Sequence, residues 1–560
     1  METIKNLLNK IGLLLYQHRA TTMLLTMIGW LGSIDIYHKL LQDGHSMPLQ
    51  TIKWASIALL FALLLTLLIG CKNKVIKVIG ILVSILYASL AIINAISYQF
   101  WGFGISCRMF TIIMESNARE SNEFLNHTIG NFASADFITN LAIFLAITAL
   151  LTWSIKKLCK EKPYLVLVGI IGLVGIIASG LQLQNTTEKK NVNILLRSLI
   201  DYKRTHQNLN STPDNNWGVD ESKLLESLEG EYVIDNVVIV IGESASRNHH
   251  SIYGYDLNTT PKLQEKSDEL VIFNDAISSY STTSESMKTF LSYKNYTTHK
   301  GEWYEYPSVP SIFSHLGFKT YWVSNQEKMG HFGACENYFS SKCDSSAFVG
   351  MLFTGDNLQE KFDEALLPEL SQIMKKTGKK LVILHLMGSH GEYYRRYPKE
   401  FARFTEKEIA DRGRDYLTRS KKKTIAEYEN SILYSDYIVS NIIDTIKQYN
   451  QQKTMMIYFS DHGEELYEKR DFAGHSNGYV DIPFIIWTNE ATRLQLGEKY
   501  KEITQSIDDP ISIENLPDFL LGISDIKYQM YDPTLDFTSP TYHLEQRYAD
   551  DAPYQKGQCD

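Results

Sequence analysis

The chain has no excess of positive charge, and no internal repeat is evident in it. Its 560 residues include 55 Lys and Arg against 64 Asp and Glu, which gives a formal net charge of −9. A nucleic-acid-binding surface needs a basic face, so we do not expect DNA or RNA as a partner. The first apolar run lacks a small-residue cleavage pattern and is followed by further runs, so we interpret it as a membrane anchor and not as a secretory signal peptide.

Long apolar runs are present, but they are confined to the first third of the chain. A transmembrane helix takes about 20 predominantly apolar residues. Five runs meet this requirement, so the sequence predicts five spans. They lie near Ala20–Tyr37, Thr51–Gly70, Val75–Ile96, Phe137–Ile155 and Tyr164–Leu183.

Positive charge around these runs predicts their orientation. Lys and Arg cluster before the first run, between the second and third, and between the fourth and fifth. Cytoplasmic loops carry the Lys/Arg excess, and five spans place all three clusters on one side. The part after the fifth span then lies outside the cytoplasm. The clusters are Lys5, Lys10 and Arg19; Lys72, Lys74 and Lys77; and Lys156, Lys157, Lys160 and Lys162.

Cysteine is scarce, with 6 in the chain. Cys71 and Cys159, at the cytoplasmic ends of predicted spans, are expected to be reduced. Cys335 and Cys343 lie close together in the exported part, where an oxidising compartment favours a disulfide between them. Two free thiols are the alternative. Cys107 and Cys559 have no evident partner.

Changes in composition divide the chain into four parts. Residues 1–185 form the predicted anchor domain of five transmembrane helices, and residues 186–230 form a polar linker with one short helix. Residues 231–537 form a predicted periplasmic catalytic domain, and residues 538–560 form an irregular tail. Short β-branched runs alternate with longer amphipathic stretches in the third part. This alternation predicts an α/β domain with a mostly parallel sheet between helices.

The clearest elements of this domain are one helix and a set of strands. Apolar residues recur at helical spacing over Thr424–Tyr449, which predicts a long amphipathic helix. The predicted strands are Val237–Ile241, Thr320–Val323, Leu381–Leu386, Met455–Phe459 and Ile482–Trp487.

Two of these strands end in side chains that bind metals. The run Met455–Phe459 leads to Asp461 and His462, and the run Val237–Ile241 leads to Glu243. In open α/β sheets, ligands bind at the carboxyl ends of the strands. Carboxylate and imidazole groups are ligands of divalent cations, and a carboxylate buried there without a cation is disfavoured by desolvation. A surface Asp-His turn is the alternative for the first motif alone.

Hydroxyl groups and further histidines add to this pattern. The hydroxyl-rich segment Ser278–Ser286 has the composition of a flexible loop; alternatively, one of its hydroxyls starts a helix and acts as a nucleophile, activated by a base or a metal. His390 and His475 follow strands and are flanked by small residues. A lone histidine is more often structural, but these two with His462 beside two carboxylates favour an active site.

The exported part resembles the phosphoethanolamine transferases of bacterial envelopes, which belong to the alkaline phosphatase and sulfatase superfamily. The resemblance implies an alkaline-phosphatase/sulfatase-like α/β domain, and the five-span anchor matches as well. The matching stretches occur in order through the domain. They are Val240–Ser244, Ser251–Pro261, Thr283–Met287, Leu384–Gly391, Ser460–Glu464 and Gly474–His475.

The resemblance implies a role for individual residues. Glu243, Thr283, Asp461 and His462 are implied to be the ligands of a zinc ion. Thr283 is similar to the nucleophile that carries the phosphoethanolamine group. We prefer it to Thr282 because Ser and Met follow at the family's spacing, although the Pro that often comes next in the family is missing here.

Further residues are implied to act on the substrate. His390 and His475 are implied to bind the transferred phosphate or a second zinc ion, so one or two zinc ions are expected. Lys328 is implied to be a third phosphate contact, at a spacing that departs from the family by a couple of residues. Glu120, in the membrane-domain loop, is implied to help place the substrate.

The implied reaction takes phosphoethanolamine from phosphatidylethanolamine and passes it to an envelope acceptor. The acceptors used by such enzymes include lipid A and the core sugars of lipopolysaccharide, and also periplasmic glucan. The expected location is the bacterial inner membrane, with several spans and a periplasmic catalytic domain, and the expected oligomeric state is a monomer. The alternatives are a glycerol-phosphate transferase of the lipoteichoic-acid-synthase type, a hydrolase, and a membrane sensor that binds metal without turnover.

A basic run precedes the predicted long helix. It is either a solvated helix start or a contact for the phosphates of an anionic acceptor or of lipid headgroups. Its members are Arg412, Arg414, Arg419, Lys421, Lys422 and Lys423.

Overall fold

The chain folds into two compact units, seen in a computed structural model. One covers the residues up to His206 and the other the residues from Gln207 onward, apart from one short segment outside the described residues. The residues described are 10, 13–14, 16–32, 47–101, 146, 148–150, 153, 221–326, 334–354, 357–414, 416–449, 451–466, 477–544, 546–550 and 552–554.

Three helices of the first unit coincide with the first three predicted spans. They are α1 (Arg19–Leu31), α2 (Met47–Ile69) and α3 (Lys74–Trp101). Within the described part of the chain, Lys74–Ala95 is long and apolar enough to cross a bilayer, and Ala58–Ile69 is a shorter apolar helix. The fourth and fifth predicted spans lie almost entirely outside the described residues, so the count of five remains a prediction.

These helices pack through small and hydroxyl-bearing residues. The hydroxyls of Thr22 and Thr66 are buried and lie 2.9 Å apart. A Cβ added at Gly32 would lie 2.5 Å from Cβ of Ala91, so glycine allows the backbones to approach. Both features are typical of helices packed within a membrane. Leu82, on the outer side of α3, is 61% exposed. An exposed apolar side chain of this kind is typical of a helix surface that faces lipid.

The second unit consists of short helices and strands, with one long helix, α11. Its helices are α4 (Glu221–Leu224), α5 (Pro261–Glu265), α6 (Thr283–Phe290), α7 (Val309–His315), α8 (Ala334–Ser341), α9 (Leu366–Met374), α10 (Glu406–Ile409), α11 (Arg419–Lys447), α12 (Glu490–Leu496), α13 (Glu498–Gln505) and α14 (Leu516–Gly522). Its strands are β1 (Asn236–Gly242), β2 (Leu270–Ile272), β3 (Ala276–Ile277), β4 (Lys319–Ser324), β5 (Ser345–Phe348), β6 (Met351–Thr354), β7 (Asn357–Glu360), β8 (Lys380–His385), β9 (Thr454–Ser460), β10 (Phe484–Thr488), β11 (Ile511–Ser512), β12 (Tyr548–Ala549) and β13 (Ala552–Pro553).

The central sheet has seven strands in the order β2-β10-β9-β1-β8-β4-β5. The five strands from β9 to β5 are parallel, whereas β10 is antiparallel to both of its neighbours. All predicted strands are present in this sheet, and the prediction of a mostly parallel sheet between helices is confirmed. The predicted strand Ile482–Trp487 begins later, at Phe484.

Burial on both faces explains the uninterrupted apolar sequence of β1, since all of its residues are buried. Successive side chains of a strand point to opposite faces. Val237 and Ile239 enter one hydrophobic core, and Val238 and Val240 enter another that includes Ile442 of α11. Strands buried in this way read as continuous apolar runs and not as alternating ones.

Helix α11 is confirmed but begins at Arg419, earlier than the predicted Thr424. Its first turn is polar and is capped by Thr418, whose hydroxyl accepts a hydrogen bond from the Lys421 N–H at 3.3 Å. The helix leads into β9, which belongs to a parallel sheet, so it runs antiparallel to the strands. Its N-terminus therefore lies at the carboxyl edge of the sheet, where Tyr428 donates a hydrogen bond to the Ser244 carbonyl at 2.8 Å.

The predicted disulfide between Cys335 and Cys343 is wrong, because both are free thiols. Cys335 lies in the first turn of α8 and Cys343 lies two residues beyond its end, and the helical rise of ~1.5 Å per residue already separates Cys335 from Ser341 by about 9 Å. A disulfide requires Cα atoms closer than ~7 Å. Cys335 Sγ contacts the Ser284 carbonyl at 3.5 Å, and Cys343 Sγ contacts the Phe339 carbonyl at 3.6 Å. The helix between the two cysteines, which the sequence did not reveal, keeps the thiols apart.

Candidate active site

Two strands deliver the acidic side chains of the site. In adjacent parallel strands β1 and β9, Gly242 pairs with Ser460. Glu243 and Asp461 are the next residues, so they leave the sheet side by side, and His462 follows. Neighbouring strands are ~4.8 Å apart, which accounts for the convergence of the two carboxylates. Both carboxylates are buried, with 1% and 0% of the residue exposed.

The turn after β1 fixes both carboxylates. Ser244 has a φ of 54°, in the left-handed region, which costs ~1–3 kcal/mol for a residue with a side chain. This conformation directs its N–H to Asp461 Oδ1 at 3.2 Å, while its hydroxyl donates to Glu243 Oε1 at 2.8 Å. The strained residue therefore holds one carboxylate with its backbone and the other with its side chain.

The hydroxyl-rich segment starts a helix. Thr283 is the first residue of α6, after Thr282 at the N-cap position. The hydroxyls of Ser278 and Ser286 lie 2.5 and 2.6 Å from the Asp461 carbonyl, to which each can donate. These contacts attach the start of α6 to the end of β9.

This attachment brings Thr283 to the other site residues. Its hydroxyl donates to Glu243 Oε2 at 3.1 Å and lies 3.5 Å from His462 Nε2. His462 Nε2 lies 3.4 Å from Glu243 Oε1 and 3.7 Å from Asp461 Oδ2. The four residues that the resemblance implies to be zinc ligands thus lie together at one edge of the sheet.

The charges of the cluster depend on one another. Burial and the neighbouring Glu243 carboxylate raise the pKa of Asp461 to about 7. Burial disfavours a charged imidazole, but Asp461 and Glu243 outweigh it and raise the pKa of His462 to about 10. Burial also opposes ionisation of Glu243, yet the hydrogen bond and charge of His462 hold the pKa of Glu243 well below its ordinary value. The cluster therefore stabilises one added positive charge, which a proton or a metal ion supplies.

The donor atoms fit a zinc ion. One ligand atom from each of Glu243, Asp461 and His462 lies within 4.8 Å of the others. Asp461 Oδ2 is buried and accepts no hydrogen bond from the described residues. His462 Nδ1 lies 2.7 Å from the Gly463 carbonyl, so the Nδ1–H donates there and Nε2 is the atom that faces the carboxylates. Two carboxylates, one imidazole nitrogen and the Thr283 hydroxyl make a four-donor set of the kind zinc uses.

A glutamine supports the cluster and was missed as a site residue in the sequence. Gln326 follows the end of β4, and its Nε2 donates to Glu243 Oε2 at 3.0 Å and to the Leu386 carbonyl at 3.2 Å. Outer groups that orient metal ligands are a regular feature of metal sites. The position of Gln326 just beyond a central strand was the available signal, but an uncharged amide does not stand out among polar loop residues.

A buried histidine and a glutamate lie behind this glutamine. Gln326 Nε2 lies 3.1 Å from His385 Nε2, and His385 Nδ1 lies 3.0 Å from Glu336 Oε1. The hydroxyl of Ser324 donates to the same glutamate oxygen at 2.8 Å. With the Nδ1–H donated to Glu336, His385 Nε2 is one of three acceptors around Gln326 Nε2, which shares two hydrogens among them. A hydrogen-bonded chain thus runs from Glu336 to Glu243.

His390 lies on the loop after β8, which packs against Glu243. The Ser389 N–H donates to the Glu243 carbonyl at 2.9 Å. Gly388 has a φ of 50°, and a Cβ there would lie 2.8 Å from the Glu243 carbonyl oxygen, so the close approach requires glycine. His390 is near enough for its charge to contribute to lowering the Glu243 pKa, after the larger effect of His462.

The sequence model of the Sulfatase family matches residues 235–526, which is more than half of the chain. The chain belongs to the sulfatase family. The matched region contains Glu243, Thr283, Asp461 and His462, together with Gln326. The superfamily expected from the motifs is thereby confirmed.

Relatives of this sulfatase-family chain include phosphoethanolamine transferases. The phosphoethanolamine transferase EptC of Escherichia coli K12 is 25% identical over 528 residues, which cover 89% of each chain. The C-terminal periplasmic domain of Escherichia coli EptC, solved in complex with Zn, is 27% identical with a TM-score of 0.51 and covers 59% of this chain and 92% of that one. The resemblance seen in the sequence and the prediction of a transferase enzyme are confirmed.

A third similarity extends over nearly the whole chain. The integral membrane lipooligosaccharide phosphoethanolamine transferase A of Neisseria meningitidis has a TM-score of 0.62 at 19% identity, covering 92% of this chain and 98% of that one. That neighbour is an integral membrane protein.

Three predicted site residues lie outside the described residues of the sulfatase-family chain. They are Lys328, His475 and Glu120. Their roles remain predictions, as do the states of Cys107 and Cys559.

Proposed function

We propose that the protein transfers phosphoethanolamine from phosphatidylethanolamine to lipopolysaccharide or a related envelope glycan, through a covalent phosphoethanolamine group on Thr283. It acts in the bacterial inner membrane with its catalytic domain in the periplasm. The relatives named as phosphoethanolamine transferases, one of them as an integral membrane protein and one by its periplasmic domain, support this assignment.

One observation carries the proposal. The Thr283 hydroxyl, at the N-terminus of α6, lies 3.1 Å from a Glu243 oxygen and 3.5 Å from His462 Nε2. A threonine hydroxyl is a weak nucleophile unless a neighbouring group activates it. The N-terminus of a helix also favours negative charge, both on the hydroxyl oxygen and on an incoming phosphate.

Glu243, Asp461, His462 and Thr283 are the residues that would hold a zinc ion. A bound zinc ion would lower the pKa of the Thr283 hydroxyl and offset negative charge on the phosphate. The zinc complex of the related EptC domain supports this choice of metal. His475 and His390 are proposed as phosphate contacts or as ligands of a second ion.

In the first step, Thr283 attacks the phosphorus of the donor lipid. The bond between Thr283 Oγ1 and phosphorus forms, and the bond between phosphorus and the diacylglycerol oxygen breaks. The hydroxyl proton leaves along its hydrogen bond to Glu243 Oε2 and passes on to the diacylglycerol oxygen, so Glu243 ends the step ionised. His390 and Lys328 are proposed to balance the negative charge on the phosphoryl oxygens. Stabilising this charge in the transition state is the main way in which proteins catalyse phosphoryl transfer.

In the second step, an acceptor oxygen attacks the same phosphorus. The new bond joins the acceptor to phosphoethanolamine, and the bond to Thr283 Oγ1 breaks. An acceptor hydroxyl gives its proton to Thr283 Oγ1, whereas with a phosphate acceptor Thr283 Oγ1 takes its proton from water. The enzyme returns to its starting state, as a transferase must.

The test is to detect the covalent group and its position. The full-length enzyme is incubated with phosphatidylethanolamine and no acceptor, and its peptides are analysed by mass spectrometry. We expect one phosphoethanolamine group on Thr283. Thr283→Ala should abolish the adduct and lower transfer by a factor of about a thousand or more, as loss of a nucleophile does.

The matched control is Thr282→Ala. Thr282 is the adjacent threonine, and its side chain makes no capping hydrogen bond at α6. This variant should retain the adduct and most of the transfer. An adduct on Thr282, or transfer that persists in Thr283→Ala, would refute the assignment.

A further inference from the structure

A short hairpin near the C-terminus lies beside the part of the chain that leads to Thr283. This C-terminal hairpin consists of β12 and β13, which pair in antiparallel register, and of the residues next to them. Its neighbour, which we call the nucleophile segment, runs from Asp275 through β3 to Thr283, the first residue of α6. None of the hairpin residues takes part in the two displacements described above.

An ion pair attaches the hairpin to the start of the nucleophile segment. Arg547 donates from Nη1 to Asp275 Oδ1 at 2.8 Å and from Nη2 to Asp275 Oδ2 at 3.2 Å. Its Nη1 also donates to the Asp275 carbonyl at 3.0 Å. Both side chains are buried, with 8% and 4% exposed, and two parallel hydrogen bonds fix the geometry of such a pair. The hairpin is therefore attached where β3 begins.

An apolar contact and a backbone hydrogen bond continue this attachment along the segment. Ile277 of β3 shares a small hydrophobic core with Ala549 and Tyr554 of the hairpin. Two residues after Ile277, the Ser279 carbonyl accepts a hydrogen bond from the Asp550 N–H at 3.0 Å. The hairpin thus follows the nucleophile segment toward α6.

The contact nearest to the nucleophile is made by the Asp550 side chain. Its Oδ1 accepts a hydrogen bond from the Ser281 N–H at 3.1 Å, two residues before Thr283. Asp550 has a φ of 48°, in the left-handed region, which is strained for a residue with a side chain and persists only where the surroundings impose it. In this conformation one residue binds the nucleophile segment with both its N–H and its carboxylate.

The start of α6 depends on contacts from outside the helix. Thr282 occupies the N-cap position, but its side chain makes no capping hydrogen bond, so the helix lacks the usual means of fixing its first turn. Ser278 and Ser286 attach this region to the Asp461 carbonyl, at 2.5 and 2.6 Å. Asp550 attaches it to the hairpin, and a carboxylate near a helix N-terminus is also favoured by the helix dipole.

We propose that the C-terminal hairpin positions the nucleophile, and that Asp550 is a positioning residue which acts on Thr283 through the Ser281 N–H. The inference rests on the proposed function, in which Thr283 Oγ1 attacks phosphorus in the first displacement and leaves it in the second. Both displacements need this oxygen in line with phosphorus, and a misplacement of about 1 Å can cost a factor of about a hundred in rate. Loss of the Asp550 contact therefore slows transfer while the zinc ligands stay in place.

Two substitutions of Asp550 separate its hydrogen bond from its backbone conformation. Glycine adopts a positive φ readily but offers no acceptor to the Ser281 N–H. Asparagine also tolerates the left-handed region, and its side-chain oxygen retains the acceptor. The comparison of Asp550→Gly with Asp550→Asn therefore isolates the hydrogen bond.

Asp525→Gly is the matched control. Asp525 is also an aspartate at positive φ, 50°, and its Oδ1 accepts a hydrogen bond from Lys499 Nζ at 2.6 Å. It lies near the opposite edge of the sheet, because the adjacent Ser524 hydroxyl accepts a hydrogen bond at 3.2 Å from the N–H of Val233, which precedes β1. The control removes an equivalent carboxylate far from Thr283.

The measurements use the full-length enzyme in vesicles that contain phosphatidylethanolamine. Adduct formation on Thr283 is followed in a single turnover while the phosphatidylethanolamine content is varied. This series gives the rate constant at saturation and the lipid content at half-saturation. Zinc affinity and the thermal midpoint are measured for each variant, and hydrogen–deuterium exchange of the Ser281 amide reports whether the segment is held.

We expect Asp550→Gly to lower the saturating rate constant by a factor of about 10 to 100, with half-saturation and zinc affinity unchanged. Exchange of the Ser281 amide should become about tenfold faster or more, the effect of one lost hydrogen bond to a charged group. Asp550→Asn should restore the rate constant almost to that of the wild type. Asp525→Gly should leave it unchanged.

A saturating rate constant in Asp550→Gly equal to that of the wild type overturns the inference. So does a loss that follows zinc affinity, which would indicate a change at the metal site, or an equal loss in Asp550→Asn, which would indicate the charge of the carboxylate and not its hydrogen bond. A loss shared by Asp525→Gly also overturns it, because it would indicate a general effect on stability.

Failure of the proposed function is distinguishable from these outcomes. It would appear as the absence of any adduct on Thr283 in the wild-type enzyme, and it would overturn the role of the hairpin in transfer as well. A wild-type adduct whose rate of formation does not depend on Asp550 overturns the role of the hairpin alone.

Discussion

Replacing Gln326 by leucine should weaken zinc binding without removing any zinc ligand. The substitution deletes the 3.0 Å hydrogen bond to Glu243 Oε2 while keeping a side chain of similar size. A hydrogen bond to a charged group contributes ~1.5–3 kcal/mol, and each ~1.4 kcal/mol is a factor of ten. We therefore expect the zinc dissociation constant to rise ~10- to 100-fold, the range found for outer-sphere groups of metal sites.

The assay is competition for zinc between the purified full-length enzyme and a chromophoric chelator. Transfer should fall at limiting zinc and recover at saturating zinc, because Gln326 contacts the ligand Glu243 and has no part in either displacement. The recovery distinguishes loss of metal from loss of catalysis.

Gln452→Leu is the matched control. Gln452 is also a partly buried glutamine, but it lies at the opposite edge of the sheet, where its Oε1 accepts from Lys380 Nζ at 3.0 Å. It should lower stability and leave zinc affinity unchanged. If Gln326→Leu binds zinc within twofold of the wild type, the supporting role of Gln326 is refuted.

Three further predictions concern stability and covalent state. Burial raises the pKa of Glu514 from 4.5 to about 7, so its stabilising contribution is complete below about pH 4.5 and is lost as the pH rises through 7. The lost contribution to the free energy of unfolding is ~3 kcal/mol. Thermal unfolding of Glu514→Gln should therefore depend less on pH between 5 and 8 than that of the wild type. Gly388→Ala adds a Cβ at 2.8 Å from the Glu243 carbonyl oxygen; we expect a loss of ~1–3 kcal/mol in unfolding free energy with weaker zinc binding, and an unchanged thermal midpoint would contradict it. In denatured protein, Cys335 and Cys343 should be alkylated to the same extent with and without prior reduction. Protection of both cysteines from alkylation in the absence of reductant would show that they form a disulfide and would contradict the prediction.

Much of the fold follows from local pattern. The strands β1, β8 and β9 are buried on both faces, so their apolar residues form unbroken runs that stand out from the polar segments around them. The long helix was evident from its spacing of apolar residues, but its first turn was not, since Arg419 to Lys423 are polar and contribute nothing to that periodicity. Two-residue strands such as β3 and β11 carry too few residues to produce a pattern.

The candidate site also contains some residues whose meeting could be predicted from the sequence and others whose meeting could not. Glu243, Asp461 and His462 directly follow strands, and neighbouring parallel strands end at one edge, so local sequence was sufficient to expect their meeting. Thr283 was identified from a family motif, since it does not directly follow a strand. The contacts of Ser278 and Ser286 with Asp461 explain why Thr283 lies beside the carboxylates. The sequence offered no physical reason for those contacts.

By itself, the sequence determined the anchor-like apolar runs, the strand-tip ligands and the α/β alternation, because each depends on residues adjacent in the chain. Only the tertiary structure decided that Gln326, His385 and Glu336 line up behind Glu243, and that Cys335 and Cys343 stay apart. It also decided that Arg412 Nε lies 2.9 Å from the carboxylate of Asp256, a residue that follows β1. Such contacts depend on the register of strands far apart in sequence and on the direction of each side chain, and neither is encoded in any local pattern.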